Sequence, residues 1–525
     1  MDKLLKILLL ATFLNSLSFI LITPVFQYPD EQAHFAQVQD IAEIGYVPPT
    51  GNDTSKEIAS LEQVVGTSRD GAGNNKYTYH PEYKTEYNGT INGPQEQNVS
   101  QLPKTTRQEF TKDEATLNPP LYYFLSSLVY RTFSWGDIFT RIYAIRILSA
   151  SIFVLTVFIT YKIGQIVFVK NKYLPVSLAV MIAFTPMLVH ATSGILPDTL
   201  NILLFSSFLY ICLKITTEGF SVQKLLLAAV VIALGAATRQ NFLITLFILP
   251  LPLIYEFLQN KKTRKSLILA GVVFAFGIYI LSFFVPAMDF IRRFDYPESS
   301  GKNPQNPLAA LTFTQHLIWT LKNSVSQVWP WFWGIYKWLS LSLPPEVYQI
   351  INRLIPVAIF GLIIKTYYLI KKRDIKNGKI FLFLALSVFI YVLFLTTFDF
   401  LFRKNNGYSF GIQGRYYFPV IVPAFALLLA GFNQVFEFTK KYSNCLLVLL
   451  VTLFFALNLT TLVHIANSYY DTTSLQSFIN HASNYKPIFL KGEILLFFLL
   501  ASLVVQVFFL TNYARNTILA QKSLK

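Results

Sequence analysis

Charge is scarce in this chain. Only 14% of its 525 residues are Asp, Glu, Lys or Arg, where a soluble protein of this size carries about a quarter. Cysteine is scarcer still. Cys212 and Cys445 are the only two, which excludes a disulfide framework and a Cys-rich metal site as organising features. Acids are outnumbered, 28 against 44 basic residues, for a net charge of +16. That excess does not point to nucleic acid. The basic residues collect in short segments between apolar runs, as the positive-inside bias of membrane proteins requires.

Long hydrophobic runs are what the chain has instead. Hydrophobic residues make up 53% of it, in repeated stretches of about 20 residues, each long enough to cross a bilayer. The expected fold class is all-α, a polytopic helical membrane protein. Twelve spans are predicted, at about 4–23, 138–168, 174–193, 197–215, 222–237, 241–259, 266–286, 350–370, 380–399, 417–437, 443–464 and 492–512. The short loops after odd-numbered spans would then be outer turns and both termini cytoplasmic. Lys170 and Lys172, Lys261 to Lys265, Lys371 to Lys379, and Lys440 and Lys441 fall on the inner side. The N-terminal run lacks a small-x-small cleavage pattern and is read as an uncleaved first span. The resulting organisation is 1–23 as first span and 24–137 as an outer loop with interfacial helices. Spans two to seven lie in 138–286, a second outer loop is 287–349, and 350–525 holds the last five spans and a short cytoplasmic tail.

The outer loops hold the unusual residues. Segment 24–117 carries 14 of the 28 acids. Its start, 30–44, has Phe35, Val38, Ile41 and Ala42 at helical spacing and ends at Gly45. Its middle, about 50–115, is rich in Gly, Asn, Thr and Gln, and irregular backbone is expected there. In the second outer loop, Trp319, Trp329, Trp331, Trp333 and Trp338 are five of the chain's six tryptophans. They suggest an interfacial aromatic anchor.

Three short motifs can carry chemistry. Pro29-Asp30-Glu31-Gln32-Ala33-His34-Phe35 follows the first span directly, so two adjacent carboxylates sit at the membrane surface. Acids also simply favour a helix start after proline. Asp30 and His34, four apart, share a helical face and make a weak divalent-metal pair; no cofactor is otherwise indicated. Asn118-Pro119-Pro120-Leu121-Tyr122-Tyr123 leads into an apolar stretch that suits an in-plane helix. Arg141 and Arg146 follow, at the start of the second span, where arginine is costly and needs a partner. Gly411-Ile412-Gln413-Gly414-Arg415-Tyr416-Tyr417-Phe418-Pro419 opens the tenth span, its glycines permitting close backbone approach beside Arg415. Asp198 and Arg239 are minor candidates that suit capping or anchoring.

The order and membrane side of these motifs resemble the type-C (GT-C superfamily) membrane glycosyltransferases. That group includes protein O-mannosyltransferases, the lipid A aminoarabinose transferase and poorly characterised bacterial relatives. The resemblance covers roughly 1–45 and 117–512. It implies a GT-C-like core in the cell membrane, a polyprenyl-phosphate sugar donor, and transfer on the outer face to a glycan, lipid or protein acceptor. It implies Asp30 as base with Glu31 beside it, and Arg146, Arg415 and Arg141 as donor-phosphate ligands. His34, Asn118, Gln413 and Tyr416 are the candidate substrate contacts. Only about 13 residues follow the last span, so acceptor recognition by a soluble C-terminal domain is not expected. A lipid-linked sugar flippase or transporter, or a polysaccharide ligase or polymerase, is the alternative. A transporter would place polar residues midway through several spans.

Overall fold

The computed structural model describes residues 2–45, 54–70, 73–85, 93–105, 115, 118–261, 264–268, 271, 311–406, 410–470 and 473–522. These residues form an all-α membrane protein, joined by one two-stranded hairpin that pairs Ile335–Tyr336 with Leu341–Ser342. Among them, nine helices are long and apolar enough to cross a membrane, or ten if one bent pair is a single span. The bent pair is Leu174–Ala183 and Pro186–Ser193, at 59°, where one straight span was expected. Pro186 removes a helical donor and holds Thr185 extended, at φ −77° and ψ 111°. Val222–Ala236 is a shorter apolar helix, and the expected span 266–286 falls mostly outside the described residues.

The first span, Asp2–Ile22, packs against Ile138–Val167, Pro186–Ser193, Ser443–Tyr469 and Glu493–Lys522. Lipid offers no hydrophobic drive between helices, so close approach at small residues matters. Pro345–Lys371 crosses Ile421–Phe438 where Gly361 faces Gly431, and a Cβ on either would strike the other helix's backbone.

The first outer segment is more ordered than its composition suggests. Glu31–Glu43 is the helix expected there, and Gly45 follows it at φ +86°. The supposedly irregular middle contains the helix Lys56–Val65, capped by Ser55 and closed by left-handed Gly66. Its buried Ile58, Leu61 and Val65 are an amphipathic stripe that the surrounding polar composition masks. A second helix, Pro94–Ser100, is tied to the C-terminal region by the buried pair Glu96–Lys491. The interfacial helix Leu121–Thr132 packs on both Glu31–Glu43 and Ile138–Val167.

Candidate active site

The chain leaves the first span through a buried turn in which Phe26 and Asp30 both adopt left-handed backbone, at φ 58° and 54°. That conformation is costly for residues with a Cβ and is held only where the surroundings enforce it. Here Glu31 enforces it. Its carboxylate accepts from the Phe26 amide at 3.0 Å, the Ile195 amide at 3.3 Å, and Arg146 Nε at 2.8 Å. Arg146 Nη2 makes a second bond to the same carboxylate, and both side chains are wholly buried. The other guanidinium hydrogens go to the carbonyls of Ile20, Thr23 and Pro24. Its faces are covered by the rings of Tyr28 and Tyr143, at 4.7 and 4.8 Å.

Two expectations are thereby corrected. Arg146 has no N–H left for a phosphate, because a buried guanidinium is stable only when its five donors are satisfied. Glu31 faces into the protein and not toward a reacting group. Arg141 is withdrawn in the same way: both its Nη atoms bind Glu57, at 2.9 and 2.7 Å, and the pair is buried. Glu57 lies on the helix that the sequence reading missed, which is why Arg141 appeared available.

Asp30 points the other way. It lines a cavity of about 510 Å³ together with Gln27, Arg69, His190, Trp331, Trp338, Gln413, Arg415 and Tyr416. Its carboxylate is 37% exposed and lies between two guanidinia, 3.5 Å from Arg69 Nη1 and 3.6 Å from Arg415 Nη2. Arg415 is 8% exposed, yet its Nε and Nη1 have no hydrogen-bond partner. Buried charged donors left unmade are expensive, by about 1–3 kcal/mol or more each. The glycine motif explains the position. Gly411 takes φ +76°, and a Cβ at Gly414 would overlap the backbone of Trp331 and Phe332. The start of the tenth expected span is thus pressed flush against the tryptophan-rich segment.

His34 and Asn118 sit behind the cavity. His34 Nδ1 pairs with the Tyr123 hydroxyl at 2.8 Å, joining the first motif to the second. Burial first, then the nearby Arg239, Arg415 and Arg69, push its imidazole well below its ordinary pKa, so it is neutral at cellular pH. Asn118 Oδ1 accepts from Arg239 Nη1 at 2.6 Å, and Arg239 grips Asp198 at 3.1 and 2.8 Å. The minor candidates Asp198 and Arg239 therefore fasten the Asn118 motif. No group of three or more His, Cys, Asp or Glu side chains converges among the described residues, so the Asp30–His34 pair gains no third ligand there.

Of the expected site residues, Asp30, Gln413, Arg415 and Tyr416 line one cavity, although some 380 positions separate the first two in sequence. Arg69 was missed, as a lone arginine in a polar loop gives no signal. Trp331 and Trp338 were expected only as a membrane anchor.

A family model described as "Predicted membrane protein (DUF2142)" matches residues 13–424. This chain belongs to that family. The match contains every residue named at the cavity. No curated protein matches the chain. Among solved structures, it is similar to the archaeal oligosaccharyltransferase AglB from Archaeoglobus fulgidus, in complex with an inhibitory peptide and a dolichol-phosphate. There the identity is 13% and the TM-score 0.45, over 89% of this chain and 56% of that one. It is also similar to ArnT from Cupriavidus metallidurans bound to undecaprenyl phosphate, with 11% identity and a TM-score of 0.41, over 92% of this chain and 77% of that one. The DUF2142 chain thus spans little more than half the length of AglB.

Proposed function

We propose that this DUF2142 protein is a membrane glycosyltransferase. It moves a sugar from a polyprenyl-phosphate donor to an acceptor hydroxyl at the outer membrane surface. The observation that carries the reading is Arg415: a buried guanidinium whose Nε and Nη1 have no hydrogen-bond partner, in a cavity whose exposed carboxylate is Asp30. The three motifs and their order, similar to those of type-C glycosyltransferases, support the same reading.

The chemistry assigns each group one task. The acceptor oxygen forms a bond to the anomeric carbon with its lone pair, and its proton passes to the Asp30 carboxylate. The bond from that carbon to the phosphate oxygen breaks, and its electron pair leaves with the polyprenyl phosphate. Arg415 takes the charge that develops there, held in fixed geometry and away from bulk water. Arg69 holds the other side of Asp30 and keeps the carboxylate oriented. Incubating the purified protein with a radiolabelled polyprenyl-phosphate sugar tests this. Transfer or donor hydrolysis that depends on Asp30 supports the reading; a donor that binds and is never cleaved removes it.

One observation favours a second reading, a lipid-linked sugar flippase. A groove of about 470 Å³ lies between the first span, Ser443–Tyr469 and Glu493–Lys522, and is lined in part by Asn15, Asn458, Ser502 and Gln506. Asn15 Oδ1 and Asn458 Nδ2 are buried there without partners, and such groups inside a membrane usually serve a function. Movement of a fluorescent lipid-linked sugar across reconstituted vesicles, with no transfer, would decide for the flippase.

A further inference from the structure

The cavity wall built from the tryptophan-rich segment is not needed to hold a phosphate or to move a proton. Trp331 is pressed against the Arg415 turn through Gly414. Trp338 sits at the tip of the hairpin, where Lys337, Trp338 and Leu339 take φ values of 51°, 51° and 64°. Three successive left-handed residues with side chains are costly, at about 1–2 kcal/mol each. They are held by long-range anchors. Lys337 Nζ donates to the carbonyls of Pro81 and Ser468, at 3.0 and 2.8 Å. Trp338 Nε1 donates to the Phe26 carbonyl at 3.2 Å, in the same turn that presents Asp30. The indole's polar atom is therefore spent on the protein, and its ring is fixed in plane beside the base. Gln27 and Gln413 line the same cavity, and carboxamides offer both donors and acceptors.

A flat apolar ring of fixed orientation, with a second indole and two carboxamides lining the same cavity, matches one ligand chemistry. A pyranose has an apolar C–H face and a rim of hydroxyls that donate and accept. Gln27 Oε1 accepts from the Tyr469 hydroxyl at 3.3 Å, which leaves its NH2 group as the donor it can offer, and a hydrocarbon chain would give neither that group nor Gln413 a polar partner. We propose that Trp331 and Trp338 form a saccharide platform with Gln27 and Gln413, so that the acceptor, like the donor headgroup, is a carbohydrate. This rests on the transferase reading and narrows it. Trp331, beside Arg415, carries the sugar attached to the phosphate. Trp338, beside Asp30, carries the sugar whose hydroxyl attacks.

The test uses full-length protein in nanodiscs, which avoids sugar-headed detergents, and two probes measured separately. One is a set of methyl glycopyranosides, followed by saturation-transfer NMR of their ring protons. The other is undecaprenyl phosphate without a sugar. Saturation of one face of at least one glycoside is expected. Trp338→Ala should weaken it by about fivefold to tenfold, while Trp338→Phe, which keeps the ring and loses the Phe26 bond, should weaken it less. The exposed Trp135→Phe should not change it. Undecaprenyl phosphate should bind every one of these variants equally. Wild-type glycoside binding that Trp338→Ala leaves unchanged, or no glycoside binding beside normal undecaprenyl phosphate binding, overturns the platform and leaves the transferase reading standing. Glycoside binding without undecaprenyl phosphate binding removes the transferase reading instead.

Discussion

Asp30 and Glu31 are adjacent in the chain, and among the described residues no basic side chain pairs with both of them. Glu31 is wholly buried and accepts from Arg146 and two backbone amides. Asp30 is more than a third exposed, in a cavity, between two arginines that hold it at 3.5 and 3.6 Å. The difference comes from the turn: Asp30 is the left-handed cap residue at φ 54° and Glu31 the first residue of the helix, so the two side chains leave the backbone in different directions, Asp30 outward and Glu31 inward. The arginines divide the same way. Arg141 and Arg146 are closed on carboxylates, whereas Arg415 keeps two nitrogens, Nε and Nη1, without a partner. A buried pair with every donor used fixes the fold; a buried charge with donors to spare marks where a ligand goes.

The sharpest way to break this contrast is at the closed pair. Glu31→Ala or Arg146→Met should each cost about 3–5 kcal/mol, because each strands a buried charge. Joint replacement by Met at both positions should recover part of the loss. Thermal unfolding of purified protein measures both. A stable Arg146→Met protein that fails only to bind donor would return Arg146 to the site.

A third carboxylate sharpens the comparison. Glu62 is buried with Oε2 unpartnered, and burial, opposed by Arg69 and Gln32, raises its pKa from 4.5 to about 7. A raised pKa means that the folded state holds the proton longer. The Glu62 contribution to stability is therefore greatest below pH 4.5 and falls as pH rises to 7, by about 3 kcal/mol in all. Glu62→Gln should flatten that slope in unfolding experiments between pH 4.5 and 7.5. An unchanged slope would mean that Glu62 does not hold its proton longer in the folded state.

At the open site the expected effect is on binding. Arg415→Ala should weaken polyprenyl phosphate binding by about 2–3 kcal/mol with little change in stability, since Nε and Nη1 have no partner and the contact of Nη2 with the part-exposed Asp30 is long, at 3.6 Å. Arg415→Lys should fall between, as an ammonium cannot hold a phosphate through two parallel bonds. Equal affinities for Lys and Arg would take Arg415 out of the site.

Much of this architecture is legible in the sequence. The apolar runs give nine of the twelve expected spans among the described residues, or ten with the bent pair, and Phe35, Val38 and Ile41 give the first outer helix. The first and third motifs line the cavity, and the second is joined to the first through Tyr123 and His34. What periodicity cannot carry is partner choice. Nothing local in the sequence tells Arg146 from Arg415, because their partners lie 115 and 385 residues away. Glu57 was hidden because Ser55 to Gly66, a capped amphipathic helix, sits inside a polar, glycine-rich stretch. The tryptophans read as a membrane belt because their spacing does not reveal a strained hairpin folded back over the first span's exit.

The central claim is that Asp30 reacts and Glu31 supports. Single-turnover transfer from a polyprenyl-phosphate sugar, measured for Asp30→Asn beside donor affinity on the same preparation, tests it most directly. The rate should fall by about 10²–10⁴ while the protein stays folded and the donor still binds. Near-normal turnover by Asp30→Asn, or a folded Glu31→Gln protein with the larger loss of rate, would contradict it.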